Sequence, residues 1–530
     1  MIPSAKNGLQ PLPLIETPAL EIPRPTLKDN TAELDRVMRR LKLDGFDPLR
    51  VHFLNMQNLM GKIRLHGQKM TAIVSCWNGH WELMDVVGPD HEGPILGMAV
   101  DLGTTSLAFH LVDLRERKVL DHLCVPNPQI SHGEDILSRI LFSRRKENRK
   151  SLQDMLLKAF NHSFLELTGR HGALPEDVCA LSVAGNTTMS HFLLGLDATG
   201  ICREPYVPAA NHFPMIHGRD LGLSLHPFAP IYVFPNVGSY FGGDLLAGII
   251  ATGIHRAQGI QLLVDVGTNA EVVLGNGDWL VACAGAAGPA LEGGVMECGM
   301  MALPGAIDRV RIDPLTLEAQ WHVLGDEKPR GVCGSGVIDL VAELFSAGIL
   351  TVQGTINTGL ETPRVVQTEN GPAYVLVPGE ETESGQDLLV TEMDVGIFLK
   401  SKAAMYTILQ VICRKVGLGF KDIEKIFVAG AFGNHLDPVM AIRIGMVPDL
   451  PPQLYEGVGN SAGDGAVMVL LDRTLLREVH EVAGRITYVE LNVDQEFMNE
   501  FRGALFLPHT DSRLFPSVST PSPEGGRGAF

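Results

Sequence analysis

The sequence predicts an α/β protein built as two lobes, and two features carry that prediction. The stretches LGMAVDLGTTSLAFHLVDL around Asp101 and QLLVDVGTNAEVVLG around Asp265 say nearly the same thing: an apolar run ending in Asp-x-Gly-Thr, then a second apolar run. Each reads as a strand, a tight glycine turn and a returning strand. From Gly97 onward such units alternate with helical stretches, which is the pattern of α/β architecture.

Composition narrows the class. A chain of 530 residues is too long for one ordinary core and implies about two to four domains. Apolar residues make up 45%, enough to fill such interiors. The formal charge of −18 argues against nucleic acid as a partner, because a phosphate backbone needs a basic surface. ATP is different, since a local nest of N–H groups with a metal ion handles its phosphates. The eight cysteines, at 76, 124, 179, 202, 283, 298, 333 and 413, form no C-x-x-C pair and no tight group of four. Disulfides, a structural zinc and a ferredoxin-type cluster therefore lack sequence support. No basic region followed by a long apolar one opens the chain, and no run of about 18 purely apolar residues occurs, so neither a signal peptide nor a membrane span is expected. A reducing cytoplasm is the consistent setting.

In chain order, residues 1–30 are proline-rich and aperiodic, and are expected to form a disordered leader. TAELDRVMRRLKL reads as a helix with Leu34, Val37, Met38 and Leu41 on one face, and KIRLHGQKMTAIVSCW and ELMDVV read as strands. Residues 31–95 thus make a small α/β module, 96–258 the first lobe and 259–509 the second. GEDILSRILFSRRKENRKSLQDMLLKAFNHSFLEL is one long helical stretch whose basic run, 144–150, is a solvated face. ALSVAGNTTMSHFLLG is strand, glycine turn and helix, and IYVFPNVGSYFGGDLLAGIIATG repeats that logic. KSKAAMYTILQVICRKVG is a strongly amphipathic helix, and KIFVAGAFGNHLDPVMAIRIG again strand, turn and helix. Residues 510–530, rich in Pro, Ser and Gly, are expected to be disordered.

The glycine turns carry the chemistry. At the first, Gly103, Thr104 and Thr105 would present N–H and O–H donors to β- and γ-phosphates, with Asp101 holding Mg2+ through water. The second offers Asp265, Gly267, Thr268 and Asn269. The structural alternative is a pair of buried hairpins whose aspartates cap their own turns. VAGAFGNH is a third turn, where Gly430 and Gly433 allow a flat ring to approach the backbone. In GVCGSGVIDLVAEL, Gly334, Ser335 and Gly336 open a helix. Neither a P-loop nor a strand-borne GxGxxG is present.

The order of these pieces resembles the actin, sugar kinase and heat-shock chaperone superfamily. Within it the chain is most similar to the reductive activators of corrinoid proteins. The resembling stretches are AVDLGTTS, NPQISHGEDILSRI, GNTTMSHFLLGL, DVGTNAEVVLG, AAGPALEGG, GVCGSGVIDL, VAGAFGNH, VGNSAGDGA and YVEL, with PTLKDNTAELDRVMRRL resembling the linker. The resemblance implies a two-lobed actin-like (ribonuclease H-like) fold that uses ATP to drive a partner's cobalt(II) corrinoid to cobalt(I). It implies that Asp101 and Asp265 are metal-linked carboxylates, that Gly103, Thr104, Thr105, Gly267, Thr268 and Asn269 hold phosphates, and that Gly430, Ala431, Phe432, Gly433 and Asn434 hold adenosine. Asp244, opening the helix after PNVGSYFGG, either orients the attacking water or simply caps its helix.

Three departures from the family pattern stand out. The familiar iron–sulfur cysteines are missing, so no cluster is expected and electrons would come from a separate low-potential donor. Ala270 stands where glycine is common, and ACAG before AAGPA lacks the usual hydroxyls. Cys298 and Cys333 are either small core residues or ligands of a subunit-bridging cluster, and a homodimer is left open. Two rival functions remain: a small-molecule kinase of the same superfamily, and a non-catalytic nucleotide-gated binding protein.

Overall fold

The computed structural model describes residues 11–133, 135–267, 269–285, 296–430, 436–491 and 496–519. The chain divides into two compact units, Met1–Ala251 with Ser461–Arg485, and Thr252–Asn460 with Ile486–Phe530.

Both units are built on one plan. In the first, a six-stranded sheet runs in the spatial order Ile216–His217, Pro230–Val233, Val178–Gly185, Leu96–Leu102, Ser106–Asp113, Lys118–Pro126. In the second the order is Tyr455–Gly459, Lys425–Ala429, Gln261–Val266, Ala270–Gly275, Leu280–Gly285, Ile486–Tyr488. Each unit thus has a three-stranded antiparallel meander, with two later strands added in parallel beside its first strand. The meanders form because short apolar runs are joined by turns too tight for a helix, whereas each parallel addition needs a crossover, which the helices supply.

In the first unit the crossover helix Lys146–Arg170 buries Leu152, Leu156, Phe160, Phe164 and Leu167, one stripe at helical spacing. The Phe109 ring meets Phe160 at 5.2 Å and Phe164 at 6.1 Å, edge to face. The predicted single helical stretch is two helices, Ile136–Phe142 and Lys146–Arg170. The break falls at residues 143–145, where Ser143 turns its hydroxyl back to the Ile140 carbonyl, 2.8 Å away.

Three sequence expectations need correction. Residues 11–30 are not wholly a leader: Ile15–Glu16 and Ala19–Glu21 pair antiparallel with Lys69–Trp77. Leu14, Ile15, Leu20 and Ile22 are buried, and the intervening prolines are tolerated because these are short outer strands. KIRLHGQKMTAIVSCW is not one strand either, since its first residues end the helix Met56–His66, closed by Gly67 at φ 70°. The tail at 510–519 is ordered by an anchor: Phe515 is buried against Tyr406, and the Ser517 N–H and hydroxyl each donate to Asp449 at 2.8 Å.

The unit boundary also differs from the expected one at 258/259. Residues 461–485 belong with the first unit. There the helix Ser461–Leu471 lies on the strands Leu96–Leu102 and Val178–Gly185 and crosses the helix Gly243–Thr252. A methyl at Gly465 would stand 2.1 Å from the Ala247 carbonyl oxygen, so this crossing requires glycine. The small module is fixed to the same unit by buried polar pairs: His217 Nε2 lies 3.0 Å from Glu82 Oε1, and His226 Nε2 3.5 Å from Asp85 Oδ2.

In the second unit the helix Glu392–Lys415 is buried on nearly every side, which corrects its amphipathic reading. Among the described residues it is the one helix long and apolar enough to cross a membrane, and it lies mostly inside the protein. Its Lys402 is fully buried and donates to the carbonyls of Ala504, Phe506 and Pro508 at 2.5, 2.6 and 2.6 Å. Burial pushes its pKa well down. The three carbonyls oppose that shift, because a neutral amine would set its lone pair against one of them. We expect Lys402→Met to leave three buried acceptors unpaired and to destabilise the full chain by about 3 kcal/mol or more. Urea unfolding checks this, with Leu and Arg substitutions at exposed Lys400 as controls.

Candidate functional site

The two Asp-x-Gly-Thr segments sit at equivalent places in the two units. In the first, Asp101 is the penultimate residue of Leu96–Leu102, opposite Ala108 across the hairpin and beside Ala184 on the parallel neighbour. In the second, Asp265 is the penultimate residue of Gln261–Val266, opposite Glu271 and beside Ala429. Both carboxylates are half-buried. The turns follow at once, with Gly103, Thr104 and Thr105 half-buried in one, and Gly267 half-buried and Asn269 exposed in the other. The Gly267 N–H donates to the Asn269 carbonyl at 2.9 Å, closing the second turn. Thr268 lies outside the described residues, as do Ala431, Phe432, Gly433 and Asn434.

A glycine stands at the end of one aspartate strand's parallel neighbour, Gly185, and just past the end of the other's, Gly430, for a shared reason. A methyl on Gly185 would stand 2.9 Å from the Leu102 carbonyl oxygen, and one on Gly430, at φ 99°, 2.1 Å from that of Val266. These strand ends approach too closely for any side chain.

The first turn is held from behind by residues to which the sequence reading gave no role. Asn127 Nδ2 donates to the Gly103 carbonyl at 2.9 Å, and the Asn127 N–H to that of Thr105 at 2.9 Å. Arg139 Nη1 donates to the Thr104 carbonyl at 2.8 Å. Asn186, which caps the helix Thr187–Leu193 by accepting from the Met189 N–H, donates to Thr104 Oγ1 at 3.0 Å. The only sequence signal was that all three lie in the family-like stretches NPQISHGEDILSRI and GNTTMSHFLLGL.

Asp244 comes to the same end of this sheet. Gly242 packs so tightly that a methyl there would lie 2.4 Å from Asn186 Cα and 2.8 Å from both Asp244 Oδ1 and the Thr187 nitrogen. The carboxylate accepts from the Leu245 N–H at 2.8 Å and retains some solvent access, yet protein crowds it. That desolvation raises its pKa to about 6, against the pull of its backbone hydrogen bonds.

In the second unit Gly334, Ser335 and Gly336 begin the helix Gly334–Ser346 and are buried. Gly336 has a packing role, since a methyl there would meet the Ile307 carbonyl oxygen at 2.3 Å. One turn on, burial raises Asp339 to about 6, opposed by Arg311, whose Nη1 is 3.6 Å away. Ala270 lies within the strand Ala270–Gly275, paired with Val266, and needs no positive φ, so its methyl is accommodated without strain. Cys298 and Cys333 are buried, which fits core residues. Among the described residues no three His, Cys, Asp or Glu side chains converge as a metal site.

Two α/β units on one strand plan, each with an aspartate strand ending in a glycine turn, define the two-lobed actin-like fold class. Family models match nearly the whole chain: the RACo linker region at 4–93, the RACo middle region at 96–257, and the C-terminal ASKHA domain of RACo at 259–519. The chain belongs to the RACo family. A solved reductive activator for a corrinoid, iron–sulfur protein is 36% identical, with a TM-score of 0.90 over 97% of this chain and 82% of that one. The corrinoid activation enzyme RamQ of Eubacterium limosum is 29% identical over 85% of this chain and 75% of its own length. A reductase of the Co(II) methylated amine-specific corrinoid protein, from Methanosarcina barkeri, is 23% identical over 74% and 73%.

The raised Asp244 pKa has a definite sign. Below the ordinary carboxyl range both folded and unfolded chains hold the proton; between there and about 6 only the folded chain does, so stability falls as pH rises through that window. Asp244→Asn should therefore gain on the order of 1–3 kcal/mol at pH 8 and nothing near pH 4. Denaturant midpoints measured at both values check the difference.

Proposed function

We propose that this chain is an ATP-dependent activator that drives the cobalt(II) corrinoid of a partner corrinoid protein, or corrinoid-dependent methyltransferase system, to cobalt(I). The observation that carries this reading is the matched placement of Asp101 and Asp265, each one residue from the end of the first strand in the same five-strand framework. The names of the relatives, a corrinoid activation enzyme and a reductase of a Co(II) corrinoid protein, support the choice of partner.

Asp101 and Asp265 are each of the donor type that Mg2+ takes. They are half-buried, hard oxygen donors beside glycine turns, and Mg2+ keeps water between itself and such groups. Bound there, it would neutralise phosphate charge. Gly103, Thr104, Thr105, Gly267, Thr268 and Asn269 hold the phosphates on this reading. Gly334 and Ser335, with the 430–434 segment, hold the rest of the nucleotide. Asp244 is ionised at neutral pH yet more basic than an ordinary carboxylate, which suits it to take a proton from the water that attacks the γ-phosphorus. Hydrolysis then yields ADP and phosphate.

The one electron that cobalt(II) must gain comes from a low-potential donor outside these 530 residues. The sequence spacing of the eight cysteines, which forms no cluster motif, and the burial of six of them support that assignment.

The test is an absorbance assay for cobalt(II)-to-cobalt(I) conversion with ATP, reductant and candidate corrinoid proteins. Asp101→Asn and Asp265→Asn each remove a charge-assisted contact of about 1.5–3 kcal/mol, so phosphate release and cobalt(I) formation should fall together by roughly 10–100-fold. Cobalt(I) formation that survives without ATP turnover, or a phosphorylated small metabolite as product, would overturn the reading.

A further inference from the structure

The Gly103–Thr105 turn is anchored through its carbonyls. All three oxygens are engaged: Gly103 by Asn127 Nδ2, Thr104 by Arg139 Nη1, Thr105 by the Asn127 N–H. In a planar trans peptide the N–H points opposite to the C=O it is joined to. The Gly103 and Thr104 carbonyls face the anchors, so the amides of Thr104 and Thr105 point away from them. Among the described residues neither amide has a hydrogen-bond partner.

Arg139 is the unusual anchor. Its side chain is fully buried, and Nε donates to the Gly133 carbonyl at 2.7 Å while Nη1 reaches Thr104. The residues before it are shaped for that reach. Asp135 caps the helix Ile136–Phe142, accepting from the Ser138 N–H at 2.8 Å. Gly133, at φ 147°, leaves only 2.6 Å between a would-be methyl and Ser138 Cβ. Burial lowers the guanidinium to about 10, still charged at neutral pH. A buried cation with so little access to water is costly to keep for packing alone.

We propose that Arg139 is a positioning residue for ATP: its buried guanidinium fixes and polarises the Thr104 carbonyl, so that the amides of the turn are held as preorganised phosphate donors. This rests on the reading of the turn as a phosphate site. The charge acts through one peptide, because a cation hydrogen-bonded to C=O strengthens the N–H on the other side of the amide.

The test is calorimetric titration of the full chain with ATP in Mg2+ and, separately, with adenosine, which has no phosphates. Arg139→Met should weaken ATP by about tenfold or more and leave adenosine within about twofold. Arg139→Lys keeps the charge and a donor, and should recover part of the ATP affinity; it also serves if the Met variant fails to fold. Equal weakening of ATP and adenosine would mean a merely structural role, and unchanged ATP affinity in both variants would equally overturn the proposal. If the unaltered chain binds no ATP, the functional reading itself falls and takes this one with it.

Discussion

Where each aspartate strand ends beside its parallel neighbour, two backbones meet so closely that only glycine fits, Gly185 against Leu102 and Gly430 against Val266. Much of the chemistry follows from that contact. It pins the parallel register, which sets Asp101 beside Ala184 and Asp265 beside Ala429. A slip of one residue would turn each carboxylate to the opposite face of its sheet. It also makes the chain turn sharply after the neighbouring strand, so Asn186 is delivered directly to Thr104. The carboxyl ends of parallel strands are where open α/β sheets bind ligands, because strand-to-helix turns converge there and leave backbone amides unused. Each unit carries that arrangement independently.

The structure also spends two fully buried cations on irregular backbone. Arg139 gathers the carbonyls of Gly133 and Thr104, and Lys402 those of Ala504, Phe506 and Pro508. Carbonyls of a turn or a chain end have no ladder to satisfy them, and inside the protein water is not available either. A cation with several donors resolves several such groups at once and, unlike an apolar contact, tolerates only one geometry. Both cations therefore act as staples that choose a single conformation. One staple fixes the Gly103–Thr105 turn; the other fixes residues 504–508 on the buried helix Glu392–Lys415.

The strand–turn–strand pairs could be read from sequence because hairpins are local: an apolar run, a glycine turn and a second run lie within twenty residues. The anchors could not. Arg139 reaches a partner 35 residues away and Asn186 one 82 away, and nothing in the pattern around either announces it. Prolines misled in the other direction. They mark residues 1–30 as a leader, yet Ile15–Glu16 and Ala19–Glu21 are strands, because outer strands accept proline wherever no ladder N–H is needed. The return of residues 461–485 to the first unit was hidden because a helix stripe shows that it is buried, not against which sheet. Lys402 shows the same limit, as a lysine two residues from exposed Lys400 gives no sign in the sequence that it is buried.

The proposed external source of the electron is consistent with the state of the buried cysteines. A cluster ligand or redox relay must be a thiolate, and a thiolate needs either solvent or a nearby cation. Burial pushes Cys179 and Cys413 up to about 12, and raises Cys283 and Cys298 as well, with neighbouring acidic groups adding to the shift at each. These side chains are held as neutral thiols, inert packing groups of roughly alanine size with a soft atom. Asp244 sits at the other pole: desolvation raises its pKa to about 6, the direction that would favour the proton-accepting role proposed for it. The chain thus holds one carboxylate with a raised pKa near the Gly103–Thr105 turn while keeping these thiols buried. That combination is compatible with the proposed use of ATP, in which the sulfur atoms of these four cysteines take no part.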